Sequence, residues 1–169
     1  MVQDDESVLL KEYLYYYAIT LKVGLSSIKE YNIWLDNIFL NEVDNEFLVE
    51  LEFSSNDINS TIHIINSLID PNISRLDFDF IGKLLFKAFE AKYHQDSCIL
   101  EDLAHQAYSI WNILPHNIAN KEPFYTLCYI DDPISYGDEK QTRELFHKLF
   151  NYYGFMMLNV ASARQKANE

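Results

Sequence analysis

Residues 100–114 read LEDLAHQAYSIWNIL, and this stretch decides the fold class. Leu100, Leu103, Ala104, Ala107, Tyr108, Trp111 and Leu114 recur at intervals of three and four, the spacing that lines one side of a helix with 3.6 residues per turn. Ser97, just ahead of the run, is placed to cap it. On the N-terminal side, Ile81, Leu84, Leu85, Ala88, Phe89 and Tyr93 repeat the pattern, with Lys83, Lys87 and Glu90 facing away. On the C-terminal side, Leu145, Phe146, Leu149, Phe150, Tyr153, Met157 and Val160 do the same after an acidic start at Asp138 and Glu139, which suits the positive end of a helix dipole. Between these two, Pro115 to Glu122 is expected to be the longest loop. Glu122 to Ile130 is expected to form a short helix before a turn at Asp131, Asp132 and Pro133.

The first 75 residues extend the theme. A helix from about Ser7 to Val23 is apolar on nearly every side, carries Tyr13, Tyr15, Tyr16 and Tyr17, and meets Gly24 where a left-handed cap belongs. Ser27 and Glu30 have the spacing of a capping box, so a helix should run from Ile28 to about Asn41 through Tyr31, Leu35 and Ile38. Ile58, Ile62, Ile65 and Ile69 predict a further helix closed by Pro71. Residues 46–53 fit two readings. Val49 to Phe53 alternate as a half-buried strand would, whereas Phe47, Leu48 and Leu51 make a helical face. No second strand exists to pair with the first, which favours helix.

Composition agrees. Leu, Ile, Val and Phe supply about a third of the 169 residues, well above the roughly one-fifth below which chains stay disordered. Four Gly and four Pro leave few turn formers, so long regular elements should dominate. No repeat or linker is visible. The expectation is an all-α fold, one domain over residues 1–169, built as a bundle or short solenoid of seven or eight helices.

Charge narrows the function. Thirteen basic against twenty-six acidic residues give a net charge of −13, which repels nucleic-acid phosphates and anionic lipid. Neither direct nucleic-acid binding nor a membrane role is expected. Asp4, Asp5 and Glu6 stand where an export signal would carry positive charge. The longest uncharged apolar run, Tyr13 to Leu21, falls far short of the ~20 residues that span a bilayer. Cys98 and Cys128 sit among apolar neighbours as small buried thiols do. A cytoplasmic setting follows.

Chemistry-bearing motifs are sparse. Glu101, Asp102 and His105 have a spacing that could gather a divalent metal, but without an HExxH or paired-Cys motif a solvated ion pair is the preferred reading. The adjacent acids Asp131 and Asp132 suit acid and base work or, before Pro133, the start of a turn. No nucleophile elbow and no Gly-rich phosphate loop occurs. Neither an enzyme, nor a metal, nor another cofactor is expected.

The acidity is local. Between Lys29 and Arg75 there is no Lys or Arg, while Glu30, Asp36, Glu42, Asp44, Glu46, Glu50, Glu52, Asp57 and Asp70 all fall inside. A one-signed surface costs stability through self-repulsion but steers a cationic partner. The partner-binding candidates are therefore Asp36, Glu42, Asp44, Glu46, Glu50, Glu52 and Asp57, with Trp34 or Phe39 as an aromatic anchor; Trp34 equally suits the core.

The same stretch carries a resemblance. Tyr31 followed by Ile33, Trp34, Leu35 and Asp36, then Phe47, Leu48, Val49, Glu50 and Leu51 with Ser54 and Ser55, then an Ile-rich helix, resembles the opening of small bacterial immunity proteins encoded beside contact-dependent growth inhibition and related polymorphic toxins. It covers about residues 25–70. Where that group often has Pro before the Leu-rich helix, this chain has Asp44, Asn45 and Glu46. The resemblance implies a cytoplasmic protein that silences one cognate toxin domain, commonly a nuclease, by binding it. A helical adaptor for a basic partner that is not a toxin fits the same fold and charge.

Overall fold

The computed structural model describes the backbone of residues 3–40 and 45–166 and the side chains of residues 10–40 and 45–154. The fold is all-α, and no strand occurs among the described residues. Among the described residues seven helices have nine residues or more: α1 Gln3–Val23, α2 Ile28–Phe39, α3 Glu46–Ser54, α4 Ile58–Ile69, α5 Phe78–Tyr93, α6 Leu100–Ile113 and α9 Glu139–Lys166. Two single turns, α7 His116–Ala119 and α8 Asp132–Ser135, and two 3-10 segments, Asp70–Arg75 and Phe124–Tyr129, are the other helical elements among the described residues. It groups into two compact units, residues 1–85 and 86–169, with the boundary inside α5.

In the first unit α1 lies against α4, α4 against α3 and α3 against α2. Leu14, Ala18 and Leu21 of α1, Leu35 of α2, Leu48 and Leu51 of α3, and Ile65 and Ile69 of α4 are buried. Spacings of three and four explain why each helix buries one stripe. Segment 46–54 is thus helix, because burying Leu48 and Leu51 together requires helical spacing. Local signals set the ends. Gly24 takes φ 70° after α1, a left-handed conformation that glycine adopts without a Cβ clash. The capping box forms, with Ser27 Oγ accepting from the Glu30 amide at 3.2 Å and Glu30 Oε2 accepting from the Ser27 amide at 2.6 Å.

In the second unit α6 packs on the 3-10 segment 124–129, and α8 on α9. Phe89, Phe146 and Leu149 are buried, as are Leu103, Ala107 and Ile110 of α6. The buried stripe of α6 passes through Ile110, leaving Tyr108 exposed and Trp111 half-buried.

Several expected boundaries move. α1 starts at Gln3 rather than Ser7, and α2 ends at Phe39 with Leu40 as its C-cap. Ser97 does not cap α6: Cys98 N–H donates to Gln95 O at 2.9 Å, a turn that takes in Ser97 and leaves Ile99 as N-cap without a side-chain bond. Within the expected loop 115–122, Trp111 Nε1–H donates to Ala119 O at 3.0 Å and pins the turn α7. Pro71 does end α4, but its fixed φ suits the first turn of a 3-10 segment. Residues 124–129 are 3-10 rather than α, and Asp131, Asp132 and Pro133 open the one-turn helix α8.

Candidate protein-binding surface

The acidic residues divide by what their carboxylates already do. Asp36 on α2 and Glu46 and Glu50 on α3 are exposed. Glu46 and Glu50 are four apart, opposite the buried pair Leu48 and Leu51, so they share the outer face of α3. Asn45 caps that helix through Oδ1, which accepts from the Phe47 amide at 3.2 Å. This cap fixes where the acidic turn begins.

Glu52 and Asp57 differ from these: the first is half-buried and the second caps a helix. Glu52 is half-buried, and its charge acts on the buried phenol of Tyr31. Burial first, then Glu52, then Tyr17, push that phenol well above the ordinary tyrosine range. Asp57 is the N-cap of α4: Oδ2 accepts from the Ser60 hydroxyl at 2.8 Å, and Oδ1 from the amides of Asn59 at 3.0 Å and Ser60 at 3.3 Å. These bonds, the Ser60 hydroxyl foremost, hold its carboxyl below the usual value of 3.8. Glu30 is likewise engaged in its capping box. Glu42 and Asp44 lie outside the described residues.

Division by unit makes the asymmetry explicit. Residues 1–85 hold 5 Lys and Arg against 15 Asp and Glu, a net −10, and residues 86–169 hold 8 against 11, a net −3. The acidity belongs to the first unit.

Trp34, expected as an anchor or as core, and Phe39, expected as an anchor, are both partly exposed. Trp34 is half-buried in a ring cluster, 4.9 Å from Tyr17 and 5.9 Å from Tyr13 between centroids, with Tyr31 at 6.0 Å. Desolvation and the nearby Tyr16 push the Tyr17 phenol up to about 12. Phe39 is also half-buried. Among the large apolar side chains of α2, its C-cap and α3, Ile33, Leu40 and Phe53 are exposed, at 55%, 75% and 87%. The signal for Phe53 lay in helical register: it follows Glu50 by three and Glu46 by seven, which places it on their face once 46–54 is read as helix.

The alternative chemical candidates sit in the second unit. His105 Nδ1 lies 3.3 Å from Asp131 Oδ2, and its Nε2 3.9 Å from Glu101 Oε1. Two groups far apart in sequence thus meet at one imidazole. The backbone carbonyl of Asp132 accepts from the Ser135 hydroxyl at 2.6 Å. Among the described residues, no group of three or more His, Cys, Asp or Glu side chains is arranged to hold a metal ion. Cys98 and Cys128 are free thiols. Burial raises both thiol pKa values; neighbouring Asp132, Asp131 and Glu122 add to the rise at Cys128, while Lys92 and Arg143 oppose it at Cys98. No helix among the described residues is long and apolar enough to cross a membrane. Comparison with family models, with curated proteins and with solved structures finds no match to this chain.

Proposed function

We propose that this protein is a cytoplasmic immunity protein that neutralises one basic toxin domain, a nuclease, by stoichiometric binding and without catalysis. The observation that carries the reading is the concentration of charge: a net −10 on residues 1–85, with no Lys or Arg between Lys29 and Arg75 and with Asp36, Glu46 and Glu50 exposed. A nuclease must present Lys and Arg to phosphates, so carboxylates offered in their place compete for the same surface through charge-assisted bonds. Steering by such a field raises association rates by about 10- to 1,000-fold at low salt.

The test pairs identity with mechanism. Co-expression with the product of the neighbouring reading frame should yield a one-to-one complex, and that product alone should be toxic. Reversing Asp36, Glu46 and Glu50 to Lys should slow association by roughly tenfold or more at low salt and flatten its salt dependence, with helical content retained. An association rate that does not change removes the acidic surface as the interface. A basic neighbouring product without toxicity favours the adaptor reading instead.

A further inference from the structure

The exposed apolar side chains of the first unit are not spread at random. Among the described residues the large exposed side chains without a polar atom are Ile33, Leu40, Phe53, Ile58 and Ile99, and four of the five fall within residues 33–58. In the second unit Tyr108, Tyr125 and Tyr136 are the other exposed large side chains, each with a hydroxyl suited to water. Along α2 and its C-cap the order Ile33, Asp36, Leu40 has steps of three and four, so apolar, acidic and apolar groups follow one another down one exposed stripe. On α3, Glu46, Glu50 and Phe53 form a second such stripe, and α2 and α3 pack on each other. Apolar groups held among acids do not suit water, lipid head groups of negative charge, or another copy of the same face.

We propose that Phe53, with Ile33 and Leu40, is the apolar anchor of a docking surface whose occupant is a protein presenting an apolar socket rimmed by Lys and Arg. The inference rests on the acidic surface proposed above and adds its division of labour. Carboxylates at Asp36, Glu46 and Glu50 set the encounter rate and choose the sign of the partner, because long-range attraction acts before contact. Phe53 sets the lifetime of the complex, because desolvated apolar contacts at an interface centre carry most of the binding free energy. Charge complementarity decides the occupant: a second copy would bring like charges together, whereas a cationic rim neutralises them while the socket removes Phe53 from water.

The experiment uses the full chain and two synthetic peptides of equal length and positive charge, an oligolysine and a Leu/Lys peptide with one apolar helical face. Titration by isothermal calorimetry should show the Leu/Lys peptide binding about tenfold or more tightly than oligolysine, a preference that Phe53→Ser abolishes while oligolysine affinity stays unchanged. Since Phe53 is 87% exposed, Phe53→Ser should leave the circular dichroism spectrum intact. The same affinity for both peptides, or a preference that survives Phe53→Ser, whether or not the double substitution Ile33→Ser, Leu40→Ser removes it, overturns Phe53 as the anchor. If charge reversal at Asp36, Glu46 and Glu50 still weakens oligolysine binding in that case, only the anchor falls. If it does not, the acidic surface falls with it. A dimer in sedimentation velocity that Phe53→Ser dissolves overturns the proposal in favour of a second copy.

Discussion

Glu12 shows how much one side chain organises. It is 1% exposed, and Oε1 accepts from the Asp77 amide at 2.9 Å, 65 residues away. Asp77 in turn accepts from the Phe80 amide through Oδ1 at 3.0 Å, so Glu12 holds in place the residue that caps α5. Removing a buried acceptor leaves its donor unpaired, which costs about 1–3 kcal/mol. Glu12→Ala should therefore lower unfolding free energy in urea by about that much, whereas Glu12→Gln, which keeps a carbonyl acceptor of the same reach, should recover most of it. Nothing in the sequence announces this role, since Glu12 sits in a helix that reads as apolar and its partner is remote. The local caps are different. Ser27 and Glu30 were legible because a capping box is a matter of spacing alone, and Ser27→Ala should destabilise by ~1 kcal/mol in the same assay. Asp57 supplies a pH signature. Its folded pKa lies below the unfolded value, so its contribution is fully present above the unfolded pKa and is lost as pH falls through the folded one. Asp57→Asn should flatten this part of the acid limb of stability while retaining a side-chain acceptor for the helix amides.

Helices were legible where burial follows a simple period and harder to delimit where a bond to another element sets their ends. α3 illustrates both. Its helical state follows from Leu48 and Leu51, and its outer face from Glu46, Glu50 and Phe53. Its junction with α4 depends on Thr61, fully buried, whose hydroxyl donates to Ser54 O at 2.9 Å. A threonine at a core position does not advertise itself in an apolar pattern built on Ile58, Ile62, Ile65 and Ile69. The structure uses Thr61, Ile65 and Ile69 as the buried stripe and leaves Ile58 outside. Ile65 is 0% exposed on a helix that packs against α1, so Ile65→Ala should cost about 2–5 kcal/mol, from lost transfer free energy and the cavity left behind. Thermal melts of Ile65→Ala beside Ile58→Ala, where the side chain is 38% exposed, should show a much larger fall for the first. Equal falls would mean that α4 packs in another rotation. The acidic residues were also legible as a group, but not their sorting into exposed and half-buried. That sorting depends on which turn of which helix each one occupies, as Glu50 and Glu52, two apart, demonstrate.

At the scale of the whole molecule, charge and chain organisation run on different rules. No Gly- or Pro-rich linker marks the division into two compact units, because the boundary falls inside α5, where linker composition would break the helix. The charge step between the units needs no structure to be counted once the boundary is known: net −10 on one side and −3 on the other. Such an imbalance has a cost in the free protein. Like charges held within one compact unit repel, and the repulsion is weakened when the Debye length shortens from about 30 Å at 0.01 M salt to about 8 Å at 0.15 M. Raising sodium chloride over that range should therefore raise the thermal midpoint, and charge reversal at Asp36, Glu46 and Glu50 should both raise the midpoint at low salt and reduce its dependence on salt. The same substitutions are expected to slow partner association. A variant that gains stability while losing its partner places those carboxylates where function, not folding, keeps them; a variant that loses stability at low salt shows that they hold the fold together and takes away the reason for assigning them to an interface.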